Sequence, residues 1–371
     1  MRVAMASNTL CLYFFIKLFI NCLCVNGRLV NDDELRNLFS ANGWSQAWRE
    51  SERERSSVHP QEVPGWPAKP INAGQMAGVA VDLNHQPVIF HRGTRVWDAA
   101  TFDRDTHRCR YISEGPIPVD TLLALDPESG EITASWGNNF FYLPHGLTID
   151  NYGYYYMTDV CLHQAFKFKP GSTTPLLTFG KSFEPGSGIH HLCQPTDVAV
   201  ATTGEIFIAD GYCNSRILEY DSDGNLLYIL PMNQDYLPLN VPHSITLLQE
   251  LDLICIADRE NMRIVCPRAG LKGLPRENAP VMRIQQPDMG RIFAITSYAN
   301  TIYAVNGPSK PMVQVKGMTI DPILEAVVDQ WTPAEGFQNP HDVELCHNTS
   351  SIYVVEINPN RIWKFQLKSP Y

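Results

Sequence analysis

The chain has 371 residues, a formal net charge of -10 and only 18% charged residues. No basic stripe is available to neutralise phosphates, so a nucleic-acid partner is excluded. Hydrophobic residues reach 44%, with 27 Pro and 24 Gly, enough for one large domain or two average ones and richer in strand and turn signals than in helix signals.

In chain order, residues 1–27 read as a secretory signal. Arg2 supplies the positive start, and apolar runs at 10–16 and 18–25 flank Lys17 before Asn26-Gly27. No uncharged apolar stretch is long enough to span a bilayer comfortably, so cleavage is predicted rather than membrane anchoring. The mature protein is expected to be monomeric, with no stable membrane insertion, secreted or held in the lumen of the secretory pathway, secretory granules included. Residues 28–75 carry alternating charges at 49–55 and four prolines between Pro60 and Pro70. They are predicted to form a poorly ordered leader with a short helix near 32–40. Export permits disulfides. Cys11, Cys22 and Cys24 fall in the signal, and the seven remaining cysteines leave at least one unpaired. Asn348-Thr349-Ser350 is an N-glycosylation sequon.

From residue 76 to 368 the sequence repeats. Apolar strands such as Tyr154-Tyr155-Tyr156-Met157, Glu205-Ile206-Phe207-Ile208 and Ser351-Ile352-Tyr353-Val354 lead to polar residues at His91, Asp159, Asp210, Asp258, Asn306 and Glu356. Successive gaps from Asp159 are 51, 48, 48 and 50; the first gap, 68, implies an insertion around 104–120. A second apolar strand follows most polar ends, as in Arg216-Ile217-Leu218-Glu219-Tyr220. Units of about 49 residues with several strands each predict an all-β, six-bladed β-propeller with NHL-like repeats and a central channel.

A second pattern precedes alternate strands. Leu143-Pro144-His145-Gly146-Leu147, Val241-Pro242-His243-Ser244-Ile245 and Asn339-Pro340-His341-Asp342-Val343 share Pro-His, and 98 residues separate each successive histidine. That is two repeats per step, so the three histidines fall in blades two, four and six and converge on the channel axis. Three imidazoles with an open fourth position make a catalytic zinc site. Arg92, Tyr212 and Arg259 each lie one or two residues past a polar strand end, near one rim of the ring. Two guanidiniums there imply an anionic substrate, most simply a carboxylate, and a tyrosine beside positive charge is a candidate general base. Asp342 could join backbone carbonyls to hold a hard cation such as Ca²⁺. The repeat alignment places Cys193 near Cys213 and Cys255 near Cys266; Cys109, Cys161 and Cys346 stay unassigned.

At these residues the sequence resembles the peptidylglycine α-amidating lyase family. The resemblance spans about 76–368 and rests on Val88-Ile89-Phe90-His91-Arg92-Gly93, Phe141-Tyr142-Leu143-Pro144-His145-Gly146-Leu147, Gln194-Pro195-Thr196-Asp197-Val198-Ala199-Val200, Asp210-Gly211-Tyr212-Cys213-Asn214-Ser215-Arg216 and Ala257-Asp258-Arg259-Glu260-Asn261. It implies cleavage of the N–Cα bond of a peptidyl-α-hydroxyglycine, giving an amidated peptide and glyoxylate. It implies zinc on His145, His243 and His341, catalytic roles for Tyr212, Arg92 and Arg259, and a structural calcium on Asp342 with the carbonyls of Val79 and Leu147. It also implies the bridges Cys193–Cys213 and Cys255–Cys266. The copper monooxygenase half of the amidating enzyme is absent from this sequence, so a separate monooxygenase is expected to supply the substrate. One departure is Asn339, where the family has methionine; it bears on the pocket wall rather than on zinc. A protein-binding propeller without metal and a calcium-dependent propeller hydrolase are the competing readings.

Overall fold

In the computed structural model, the described residues are 24–25, 28–29, 58–232, 235–276 and 280–368. Two units are separable, Met1–Val58 and His59–Tyr371. In the first, Cys24–Val25 pairs antiparallel with Arg28–Leu29. The rest of the expected signal and the expected helix near 32–40 lie outside the described residues.

The second unit is a six-bladed β-propeller. Its blades are four-stranded antiparallel sheets; the first five run inner to outer in chain order, and the sixth takes its outer strand from the start of the unit. The inner strands are Met76–Val81, Pro144–Ile149, Asp197–Val200, Pro242–Leu248, Arg291–Tyr298 and Pro340–Cys346. Beyond strands, the described residues hold only three short 3-10 turns, and no helix among them is long and apolar enough to cross a membrane.

The second strands are buried on both sides, as in Leu253–Asp258, because each sheet is covered by the blade before and the blade after. The core accordingly divides into one apolar cluster per blade interface. Phe207 and Ile217 of blade three meet Ile245 and Ile256 of blade four, while Val305 of blade five meets Val354 and Phe365 of blade six. The cluster of Tyr353, Val355 and Ile362 with Met76, Ile89 and Leu125 closes the ring between blades six and one. Hairpin turns are set by aspartates that accept backbone N–H groups within the turn: Asp82 from Asn84 and Gln86, Asp150 from Tyr152 and Tyr154, Asp221 from Asp223 and Asn225.

Blade six corrects the predicted leader. Its outer strand is His59–Glu62, paired antiparallel with Arg361–Lys368, so that Glu62 faces Phe365 and His59 faces Lys368. The propeller therefore begins at residue 59, not 76. An outer strand drawn from the other end of the chain covers an edge that would otherwise stay open. Trp66 follows, 7% exposed, with its ring 5.4 Å from that of Tyr353.

The insertion expected in the first repeat lies between the second and third strands of blade one, Pro87–His91 and Leu122–Leu125, and includes the 3-10 turn Arg110–Glu114. Cys109–Cys161 ties it to blade two. Cys193–Cys213 and Cys255–Cys266 are both formed, and Cys346 is free and buried. Three bridges fit an oxidising environment.

Candidate active site and metal centre

The polar strand ends hold the loops that deliver the histidines. Asp159 accepts the backbone N–H groups of Tyr142 and Leu143, just before Pro144-His145. Asp258 accepts that of Asn240, before Val241-Pro242-His243, and Glu356 accepts those of Gln338 and Asn339, before Pro340-His341. Asp210 does the same for Cys193 ahead of Pro195-Thr196. Asp210 and Asp258 are fully buried and pair with Arg216 at 2.9 Å and Arg263 at 2.6 Å.

The histidines sit inside the inner strands rather than before them, each at a bulge. In blade four Pro242 pairs with Asp258 and Ser244 with Ala257, leaving His243 unpaired; in blade six Pro340 pairs with Glu356 and Asp342 with Val355, leaving His341 unpaired. Blade two has the same irregularity between Pro144 and Leu147. A bulge re-aims the side chain, here toward the axis. The three rings lie 4.8–5.0 Å apart by centroid, and their ligating nitrogens fall within 4.8 Å of one another.

The odd blades fix the ring orientations. His145 Nδ1 bonds Thr196 O at 2.8 Å, His243 Nδ1 bonds Phe293 O at 2.6 Å, and His341 Nδ1 bonds Ala77 O at 2.7 Å. Each even-blade histidine thus leans on the next blade's inner strand. A carbonyl acceptor puts the proton on Nδ1 and leaves the Nε2 lone pair for a metal. Burial, followed by neighbouring positive charge, holds all three imidazoles neutral: His341 falls to about 3, and His145 and His243 lie well below their ordinary value. Three neutral, preoriented nitrogens fit a zinc ion that keeps an open position.

Tyr212 stands over this centre. Its hydroxyl is 3.0 Å from both His145 Nε2 and His243 Nε2, and Arg259 Nη1 donates to it at 3.5 Å. Burial pushes the phenol up, while Arg259 and Arg92 pull it down without fully offsetting that rise. Arg259 is sandwiched between the rings of Tyr212 and Phe293, at 5.2 and 5.0 Å. Its charge is shared with Glu260 at 2.9 Å, which also meets Arg291 at 3.0 Å. Arg92 is 1% exposed and lies 5.3 Å from the Trp97 ring; desolvation lowers its pKa to about 10. Trp97, in the blade-one insertion, packs 4.8 Å from Tyr212 and 5.9 Å from His145. Sequence reasoning did not single it out, although it lies only five residues past Arg92.

Asp342, Val79 and Leu147 lie farther along the channel. They line a cavity of about 530 Å³ that is walled by inner-strand residues of all six blades and meets the histidine centre at Asp197, Ser244 and Asp342. Asp342 Oδ2 accepts Val79 N–H at 2.9 Å. Asp197 and Glu344, two acids not anticipated, share the channel; burial pushes each up to about 7 and Asp342 well above its ordinary range, with Asp197 adding to the rise at Asp342. Three half-buried carboxyls in one channel fit a hard cation such as calcium. Asn348 is exposed and lines the same cavity.

The NHL repeat family pattern matches residues 192–220 and 239–266, within blades three and four. The chain is 51% identical over 312 residues to "Peptidyl-alpha-hydroxyglycine alpha-amidating lyase 2" of Drosophila melanogaster, covering 83% of this chain and 76% of the relative. It is 40% identical over 325 residues to "Peptidylglycine alpha-amidating monooxygenase" of Rattus norvegicus, covering 83% of this chain but 32% of that longer protein. Among solved structures, a gluconolactonase of Xanthomonas campestris matches with a TM-score of 0.54 at 12% identity, covering 83% of this chain and 95% of that one, a likeness of fold alone. With a curated relative matched at this identity and over most of both lengths, the chain belongs to the peptidyl-α-hydroxyglycine α-amidating lyase family and is a lyase.

Proposed function

We propose that the propeller is a zinc-dependent lyase that splits the N–Cα bond of a C-terminal peptidyl-α-hydroxyglycine, releasing an α-amidated peptide and glyoxylate. The observation that carries this reading is the Tyr212 hydroxyl, 3.0 Å from two of three converging imidazole nitrogens and within reach of Arg259.

His145, His243 and His341 would hold a zinc ion through Nε2, and the ion would supply Lewis acidity that favours ionisation of the substrate hydroxyl. Arg92 receives the substrate carboxylate. Its Nη2 is buried without a partner among the described residues, an unmet donor that an anion satisfies. Tyr212 takes the hydroxyl proton at its phenolic oxygen; Arg259 and Arg92 favour the phenolate form against burial, and the charge of a bound zinc ion would favour it further. As the C–O bond becomes a carbonyl, the Cα–N bond breaks and its electron pair goes to the amide nitrogen. The proton held on Tyr212 returns to that nitrogen, so the hydroxyl proton ends on the new amide. Arg259 stabilises the charge at the phenolic oxygen throughout.

The same reading assigns calcium to Asp342 with the carbonyls of Val79 and Leu147, as a brace for the channel. It places the protein, glycosylated at Asn348, in the secretory pathway. The three disulfides support that location. A separate copper monooxygenase supplies the hydroxylated peptide; the longer monooxygenase relatives, only about a third of which this chain spans, support that division. The test is incubation with an α-hydroxyglycine-extended peptide. Amidated peptide and glyoxylate should form in equal amounts, and amide without glyoxylate refutes the proposed chemistry.

A further inference from the structure

Arg92 and Arg259 share one site but differ in their partners. Arg259 is compensated by Glu260. Arg92, more deeply buried, bonds only neutral oxygens: its Nε donates to Pro144 O at 2.9 Å and its Nη1 to Gln75 Oε1 at 2.8 Å. Gln75 is itself 2% exposed, and the same Oε1 also accepts the backbone N–H of Trp97 at 2.9 Å. The backbone carbonyl of Gln75 in turn accepts Arg92 N–H at 3.0 Å. One residue therefore grips the arginine at both ends and fixes the start of the loop that carries Trp97.

A glutamate here would keep every one of these hydrogen bonds and turn the Nη1 contact into an ion pair. It would also cancel the charge that attracts an anion. A neutral acceptor orients the guanidinium, leaves it cationic and leaves Nη2 free. We infer that Gln75 is a positioning residue whose neutrality keeps Arg92 available to the substrate carboxylate. The inference rests on the lyase reading and on Arg92 as the carboxylate anchor.

The test compares the full chain with Gln75→Glu and Gln75→Met, measuring kcat, KM, inhibition by glyoxylate and thermal melting on the same samples. Gln75→Glu should raise KM at least tenfold, weaken glyoxylate inhibition in parallel, and leave kcat within about threefold. Gln75→Met, which removes the acceptor without adding charge, should give a smaller KM rise in the same direction. An unchanged KM in either folded variant overturns the inference, as does a fall in kcat at unchanged KM. If Gln75→Glu does not fold, the Met variant decides alone; failure of both to fold overturns a positioning role in favour of a structural one. Absence of turnover in the unsubstituted chain is a different result, which defeats the lyase reading itself.

Discussion

Replacing Tyr212 by Phe removes one oxygen and leaves the ring in place. That ring packs 4.8 Å from Trp97 and 5.4 and 5.6 Å from His145 and His243, with Arg259 5.2 Å from its centroid. None of those contacts needs the hydroxyl. The three histidines keep their Nδ1 bonds to Thr196, Phe293 and Ala77, so zinc binding should survive. With zinc on the imidazole nitrogens the hydroxyl keeps Arg259 Nη1 as its partner, at 3.5 Å, so stability should fall by no more than about 1 kcal/mol. Catalysis should fall far more. Loss of a general base costs about 10²–10⁴-fold, or about 3–5 kcal/mol in the barrier. The assay is glyoxylate release at saturating α-hydroxyglycine peptide, with zinc content and melting temperature measured on the same preparation. A kcat within about threefold of the unsubstituted chain, at equal zinc content, would remove Tyr212 from the role of base.

Other perturbations separate the scaffold from the chemistry. Asp258→Asn strips the counter-charge from buried Arg263 and loosens the loop ahead of His243; it should cost about 3–5 kcal/mol in urea unfolding, and a change under 1 kcal/mol argues against the loop-holding role. Cys109→Ser with Cys161→Ser opens a bridge spanning 52 residues, which chain entropy values at about 4 kcal/mol. The released insertion carries Trp97, so KM should rise together with the fall in melting temperature; a melting shift with unchanged KM would confine the bridge to stability. Calcium at a hundredfold excess over its dissociation constant should stabilise the chain by about 2.7 kcal/mol. Asp342→Asn should abolish that increment in calorimetry, and a calcium effect that persists would place the ion elsewhere.

Much of the site was legible because a repeat turns sequence spacing into angle. Histidines 98 residues apart, with a period near 49, had to fall on alternate blades, and the structure gathers them. The bridges beside Tyr212 and Arg259 followed from the same alignment. What escaped was whatever the repeat does not encode. His59–Glu62 is short and polar, and its partner Arg361–Lys368 lies at the other end of the sequence, so no local pattern marks it as a strand. Cys109 and Trp97 sit in the insertion, where the period breaks, and Cys161 takes its partner from there. Gln75 lay in a segment read as leader, yet it bonds Arg92. Asp197 and Glu344 alternate with apolar neighbours as ordinary strand residues do; only the channel shows that they face Asp342.

Whether the tris-histidine centre serves the lyase reaction through a metal is decided by zinc content measured together with activity. Elemental analysis of the purified full chain and of His243→Ala should be paired with glyoxylate release before chelation, after chelation and after zinc is restored. One zinc per chain is expected, with activity that falls on its removal and returns on its restoration, and loss of both in His243→Ala. Full glyoxylate release from zinc-free protein would contradict metal dependence.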